Sequence, residues 1–183
     1  MTPFDLSGAD SDSDLIDRWK AGDPRAASLL VRRHADALAR FAVSSGEREE
    51  IEELVQDTFV RAFSSLESFR GESSFRTWLF TIERRLMLDR RRSEKKQKVT
   101  VEIQADDAAT DFTALDALLA DEAGTRVRKA VDNLSPTQRE VFILRVEQGL
   151  SYREIADVAG TTEGAARVHY HNAVRAVKEF LSD

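Results

Sequence analysis

Two helix starts are written out near the C-terminus, and they leave residues 135–181 little freedom in how to fold. Ser135-Pro136-Thr137-Gln138 is a Ser-x-x-Gln capping box. Its proline takes the first helical position, where a missing N–H breaks no hydrogen bond. Ser151-Tyr152-Arg153-Glu154 is a second box, so one helix must end near Gln148-Gly149 and another begin at Tyr152. The second helix is predicted to run to about Val158, where Ala159-Gly160-Thr161 makes a short turn. Thr162 is the expected N-cap of a long last helix, and Glu163 suits its positive end. Short helix, tight turn, longer helix is the arrangement that lays a recognition helix in a DNA major groove.

The last helix has two faces. Ala166, Tyr170, Ala173, Val174, Val177 and Leu181 recur at helical spacing as an apolar stripe. Val168, His169, Asn172, Arg175 and Glu179 point away from it, with Arg167, His171 and Lys178 on one flank. Asn172 suits adenine N6/N7, Arg167 guanine or phosphate, and Val168 a thymine methyl. The competing reading is a merely solvated face, since helix-turn-helix shapes also occur in proteins that bind no DNA.

Composition sets the limits. A chain of 183 residues holds one domain or two small ones. With no cysteine, a disulfide framework, a cysteine-ligated zinc site and a cysteine nucleophile are excluded, which fits a reducing compartment. No apolar run approaches membrane-spanning length, and the acidic start of the chain is unlike a secretion signal. A soluble, cytoplasmic protein without membrane insertion is expected. Val99–Ile103 is the only β-like run, so the predicted class is all-α.

The net charge of −6 argues against a nucleic-acid partner until its distribution is considered. Residues 69–98 hold ten Lys/Arg against four Asp/Glu, whereas residues 99–125 hold seven acids and no base. A basic block beside an acidic one marks a polyanion-binding face. Glu102–Asp121 is too polar to build a core and reads as a flexible linker, apart from Ala114–Ala123, which has helical character. The expected division is a tail over 1–13, a first helical domain over 14–92, a linker over 93–121 and a second helical domain over 122–183.

In the first domain three helical segments are predicted. Asp14–Val43 is broken or kinked at Gly22-Asp23-Pro24, with Leu15, Ile16, Trp19, Ala26, Leu29, Leu30, Leu38 and Phe41 as a core wall. Glu50–Phe63 buries Ile51, Leu54, Val55, Phe59, Ala62 and Phe63 and turns Glu49, Glu52, Glu53, Gln56, Asp57 and Arg61 outward. That acidic face reads as solvated, or as a dock for a basic helix. Phe75–Arg92 carries an inward stripe of Phe75, Trp78, Leu79, Ile82 and Leu86, together with Arg76, Arg84, Arg85, Arg90, Arg91 and Arg92. The preceding loop, Phe69 to Ser74, offers hydroxyls, a glycine and an aromatic edge. Arginines among aromatics suit single-stranded nucleic acid, the arginines tracking phosphates while rings receive unstacked bases. Core packing accounts for most of Phe75 and Trp78, which leaves Phe69 and the loop as the better base contacts.

Glu53-Leu54-Val55-Gln56-Asp57-Thr58-Phe59-Val60-Arg61-Ala62-Phe63, then Phe69-Arg70-Gly71-Glu72-Ser73-Ser74-Phe75-Arg76-Thr77-Trp78-Leu79, then Leu134-Ser135-Pro136-Thr137-Gln138-Arg139 and the helix-turn-helix, closely resemble the extracytoplasmic-function (ECF) sigma factors. These are small two-domain members of the bacterial sigma-seventy family. The resemblance runs from Asp14 to Leu181 in the family order and spacing. It implies a region 2 domain and a region 4 domain. It implies docking of the Leu54–Phe63 helix on the clamp helices of the largest subunit of core RNA polymerase, through Glu53, Gln56, Asp57 and Arg61, and a further contact with the polymerase flap. It implies −10 recognition and melting by Phe69, Arg70, Ser73, Ser74, Arg76, Arg84, Arg85 and Arg91, with a flipped base captured at an unstacking cost of a few kcal/mol. It implies duplex −35 reading by Arg153, Thr162, Arg167, Val168, His169, His171, Asn172 and Arg175. An anti-sigma factor is the implied off switch, and no cofactor, metal or catalytic residue is implied.

The chain departs from the family at two places. Many members have Ala-Arg-Asn where Glu83-Arg84-Arg85 stands, and the usual asparagine lies near the −10 pocket. A frequent Lys-Ser-Arg-Leu-x-Arg is here Arg167-Val168-His169-Tyr170-His171-Asn172. Weaker guanine reading at −35, with more adenine or thymine contact, is expected. A stand-alone helix-turn-helix regulator is the alternative function, but it leaves the Gln56-Asp57 face and the Phe69–Arg92 block unexplained. An enzyme is disfavoured, because three scattered histidines and no Gly-rich phosphate loop make no catalytic constellation.

Overall fold

A computed structural model describes residues 10–100 and 122–182 of the chain. The described residues form eight α-helices and one 3-10 turn, with no strand. Backbone packing divides the chain into two units, Met1–Glu83 and Arg84–Asp183, and the division falls inside one long helix.

The first unit opens with α1 (Asp12–Lys20) and α2 (Pro24–Ser44). The long predicted segment is therefore broken rather than kinked. Asp23 accepts a hydrogen bond from the Arg25 backbone N–H and caps α2, with Pro24 behind it, so the chain restarts there. The first helix also begins earlier than Asp14, because Ser11 and Asp14 form a capping box. The tail expected over 1–13 thus gives up its last residues to α1. Polar contacts to Asp12 tie the start of the unit to α2. His34 Nε2 lies 2.9 Å from Asp12 Oδ2, and Arg33 reaches Asp12 Oδ1 at 2.7 Å.

Helix α3 (Ile51–Ser64) follows, then the 3-10 turn Leu66–Ser68 and α4 (Phe75–Thr100). Leu15, Leu30, Leu38, Phe41, Leu54, Phe59, Leu79 and Phe80 fill the core, and Phe41 meets Phe80 edge-on at 5.1 Å. Each such side chain contributes about 1.5–3 kcal/mol by leaving water. Leu29, expected in the wall, is 38% exposed. The inward stripe of α4 is also wider than expected, since Thr77, Phe80 and Glu83 are buried beside Phe75, Leu79 and Ile82.

The end of α4 corrects two expectations. Residues 93–100, assigned to the linker, are helical, and Val99-Thr100 belong to that helix rather than to a strand. The run Arg90–Lys98 has no glycine or proline and is rich in Arg, Lys, Gln and Glu, all good helix formers. Its cations also suit the negative end of a helix. Residues 101–121, the rest of the predicted linker and of the β-like run, lie outside the described residues.

In the second unit α5 (Glu122–Asp132), α6 (Pro136–Val146) and α8 (Glu163–Ser182) pack around Ala130, Leu134, Ala173 and Val177, and α7 (Tyr152–Ala159) packs against α6 and α8. Val131, Phe142, Ala176 and Leu181 close over that cluster. Arg139 on α6 donates to the backbone oxygens of Val131 (3.2 Å) and Asp132, satisfying the end of α5. Both predicted boxes are present: Glu154 N–H donates to Ser151 Oγ (3.3 Å), and Ser151 N–H donates to Glu154 Oε2 (2.9 Å). The first box is looser, with Gln138 N–H at 3.4 Å from Ser135 Oγ. Gly160, at φ 64°, ends α7 in the left-handed region that glycine enters without penalty.

Candidate nucleic-acid interface

Glu53, Gln56, Asp57 and Arg61 all lie on the exposed face of α3, spaced one helical turn apart. Val60 joins them at 59% exposure. Sequence reasoning missed it, although a valine among Gln56, Asp57 and Arg61 is the apolar spot an outward acidic face does not need for solubility. This face thus combines exposed polar groups with one exposed aliphatic.

The loop before α4 holds an aromatic group. Phe69 lies 5.0 Å from Trp78 and 5.8 Å from Phe75, ring centre to ring centre. The Phe75 ring in turn meets buried His34 edge-on at 5.7 Å. Burial pulls the His34 imidazole below its ordinary value, against the opposing pull of the Asp12 carboxylate. Phe69 is half-buried, so only part of its ring faces water, while Arg70 is exposed and Gly71 turns the chain at φ 72°. Ser74 has a structural task. Its Oγ accepts from Thr77 N–H at 3.1 Å and lies 2.8 Å from Thr77 Oγ1, which makes it the cap of α4. Ser73 has only a long 3.4 Å bond to the Ser74 carbonyl. The Arg76 guanidinium stands 5.4 Å over Phe80, and Arg84, Arg85 and Arg91 follow along α4.

Glu83 precedes that arginine pair with 0% exposure and no hydrogen-bond partner for either carboxyl oxygen. Burial, reinforced by the Glu47 carboxylate, pushes its pKa up to about 9. The group is therefore a neutral acid at pH 7. The sequence marked Glu83 only as a departure from a family pattern, because the carboxyl of an isolated glutamate gives no signal of burial.

On the second unit Val168 is 58% exposed, with Arg153, Arg167, His171 and Arg175 also exposed. His169 and Asn172 are half-buried, closer to the stripe than their spacing suggested. Asn172 Oδ1 accepts a long 3.4 Å bond from Arg175. Thr162 acts as the predicted cap, its Oγ1 accepting from Ala165 N–H at 3.2 Å. Ala166, Ala173 and Val177 are buried as expected, with Tyr170, Val174 and Leu181 half-buried. Thus α8 presents an exposed cation, Arg167, and an exposed branched aliphatic, Val168, in its early turns, with the half-buried Asn172 amide one turn further on, which is chemistry that suits base edges.

Among the described residues no three His, Cys, Asp or Glu side chains gather as a metal site would require, and no helix is long and apolar enough to cross a membrane.

Comparison with known proteins assigns both units. The family pattern of sigma-70 region 2 matches residues 30–97, and that of sigma-70 region 4 matches residues 125–177. The chain is 31% identical to the ECF RNA polymerase sigma-E factor of Haemophilus influenzae, over 86% of this chain and 88% of that one. It is 30% identical to the RNA polymerase sigma-H factor of Pseudomonas aeruginosa, over 94% of each. Among solved structures, CnrH in complex with the cytosolic domain of CnrY matches with a TM-score of 0.68 at 30% identity, covering 94% of this chain and 98% of that one. The sigma factor RpoE in complex with the anti-sigma factor NepR, from Bartonella quintana, matches with a TM-score of 0.65 at 28% identity, covering 85% and 96%. With both regions matched in order and relatives alike over nearly their whole length, the chain belongs to the ECF sigma factors of the sigma-70 family, a family of transcription initiation factors.

Proposed function

We propose that this sigma factor acts in the cytoplasm as a dissociable, non-catalytic promoter-recognition subunit of RNA polymerase. The α3 face of Glu53, Gln56, Asp57, Val60 and Arg61 docks on core polymerase. The loop Phe69–Ser74 and the arginines of α4 hold the melted −10 strand, and α8 reads duplex −35 DNA. The observation that carries this reading is that the two matched regions present chemically different exposed faces, one acidic-apolar and one cationic. A stand-alone regulator would use only the second.

Within this reading Phe69 is the base-stacking group and Ser74 holds the shape of the loop. Arg70 and Arg76 supply cation to the displaced strand, whose binding rests on stacking and phosphate neutralisation. The −35 preference shifts toward adenine and thymine because Val168, His169 and Asn172 replace residue types better suited to guanine. An anti-sigma protein holds the factor inactive, a proposal supported by the solved relative that carries an anti-sigma factor.

Run-off transcription with purified core polymerase tests the whole. Added protein is expected to produce promoter-specific transcripts, and Val60→Glu to reduce them at least tenfold at limiting protein, in line with loss of a central apolar contact. Core polymerase that gains no promoter-specific initiation would end this reading.

A further inference from the structure

Tyr152 entered the sequence reading only as the first residue after a cap, yet it is the centre of a stack that joins α6, α7 and α8. The Arg145 guanidinium of α6 stands 4.9 Å over the Tyr152 ring, and the Arg167 guanidinium of α8 stands 5.0 Å over the same ring. Each arginine has a second anchor. Arg145 donates to the Leu150 carbonyl at 2.7 Å, and Arg167 pairs with Glu163 at 3.1 Å. The Tyr152 ring is itself fixed edge-on by Tyr170 at 5.9 Å, and Tyr170 stacks on Phe142 at 6.3 Å.

We infer that Tyr152 is a specificity-positioning residue: it holds the Arg167 guanidinium in one orientation before DNA arrives, so that Arg167 reads a base edge in the −35 duplex. This rests on the promoter-recognition reading above. An arginine on a solvated helix face samples many rotamers and loses that freedom on binding. Between an aromatic face and a carboxylate, most of the loss has already occurred in the free protein. The planar fork is then presented edge-first, the geometry that two acceptors on one base demand. Arg145 plays a different part. Pinned by the Leu150 carbonyl, it supplies a like charge near the same ring, which opposes any slide of Arg167 toward α6.

The test uses holoenzyme, made with the full chain, on promoters whose −35 element is randomised, with base preference read position by position. Arg167→Ala is expected to flatten the preference at one base pair. Tyr152→Leu is expected to flatten it at the same pair, by roughly three- to tenfold, whereas Tyr152→Phe retains it because the ring face remains. The double variant Tyr152→Leu with Arg167→Ala is expected to be no worse than Arg167→Ala alone. Arg167→Lys keeps the charge, loses the stacking plane and repeats the loss, which keeps the idea testable should Tyr152→Leu fail to fold. The inference is overturned if Tyr152→Leu, or Arg167→Lys in its place, leaves that preference intact. It is also overturned if Arg167→Ala weakens all sequences alike and lowers the salt slope by about one, the mark of a phosphate contact. Wild-type holoenzyme with no −35 preference at all would instead end the promoter-recognition reading, and this inference with it.

Discussion

The two units differ in where their ionisable groups lie: among the described residues those that are buried, His34 and Glu83, belong to the first. In the second unit the polar groups at helix starts are satisfied within a few residues: Ser135 by Gln138, Ser151 by Glu154, and Thr162 with the Ala165 amide. In the first, Ser11, Asp23 and Ser74 cap α1, α2 and α4 in the same local way, but α3 starts after Glu50, at a left-handed φ of 53°, with no side-chain cap, and the ionisable side chains of His34 and Glu83 are buried. Local satisfaction makes a unit whose helices form where its sequence says. Burial of ionisable groups makes one in which tertiary packing overrules residue preference and stability depends on pH.

Glu83 is where this contrast is largest. Its folded pKa of about 9 exceeds the ordinary glutamate value, so the folded state binds a proton that the unfolded state releases. The sign follows directly: this contribution is fully present below pH 4.5 and is lost as pH rises toward 9. Denaturant unfolding followed by fluorescence reports on this unit, because both tryptophans, Trp19 and Trp78, belong to it. Between pH 5.5 and 8.5 the wild type is expected to lose on the order of 4 kcal/mol relative to Glu83→Gln, at about 1.4 kcal/mol per pH unit. Parallel pH profiles for the two proteins would mean that Glu83 is ionised in the fold.

A smaller effect is expected where satisfaction is local. Ser151→Ala removes the acceptor for the Glu154 N–H and is expected to destabilise the second unit by about 1 kcal/mol, without changing the pH profile of tryptophan fluorescence. Circular dichroism melts of wild type and variant measure the first part. A loss above about 3 kcal/mol would show that α7 depends on this cap far more than a surface helix should.

Smallest of all is the effect expected at an exposed glutamate. Glu163 pairs with Arg167 at 3.1 Å with both side chains 55% exposed, so water has already solvated each charge. Glu163→Gln is expected to change stability by no more than about 0.5 kcal/mol, measurable by the same melts at low and high salt. A larger, salt-insensitive loss would move this pair out of the exposed class and erase the contrast between the units.

How much could be read from the residues follows the same division. The helix-turn-helix, its cap residues and its buried stripe of Ala166, Ala173 and Val177 were legible because each depends on neighbours within four positions. So was the outward set Glu53, Gln56, Asp57 and Arg61, since helical spacing alone puts them on one face. Leu29 was misplaced because an apolar residue obeys the same period whether or not another helix arrives to cover it. The extension of α4 to Thr100 was missed because a basic run reads as solvated chain until its helix propensity is counted. Ser74 looked like a free hydroxyl until the start of α4 showed it to be a cap.

The sequence by itself determined the all-α class, the family, both helix-turn-helix starts and the exposed polar set of α3, Glu53, Gln56, Asp57 and Arg61. These follow from periodicity, capping chemistry and motif order, all of which act along the chain. Only the tertiary structure decided that Glu83 is buried without a partner, that His34 bridges to Asp12, and that Tyr152 gathers Arg145 and Arg167 over one ring. Those outcomes depend on which surfaces meet between helices that only the fold brings together, and no local rule carries that information.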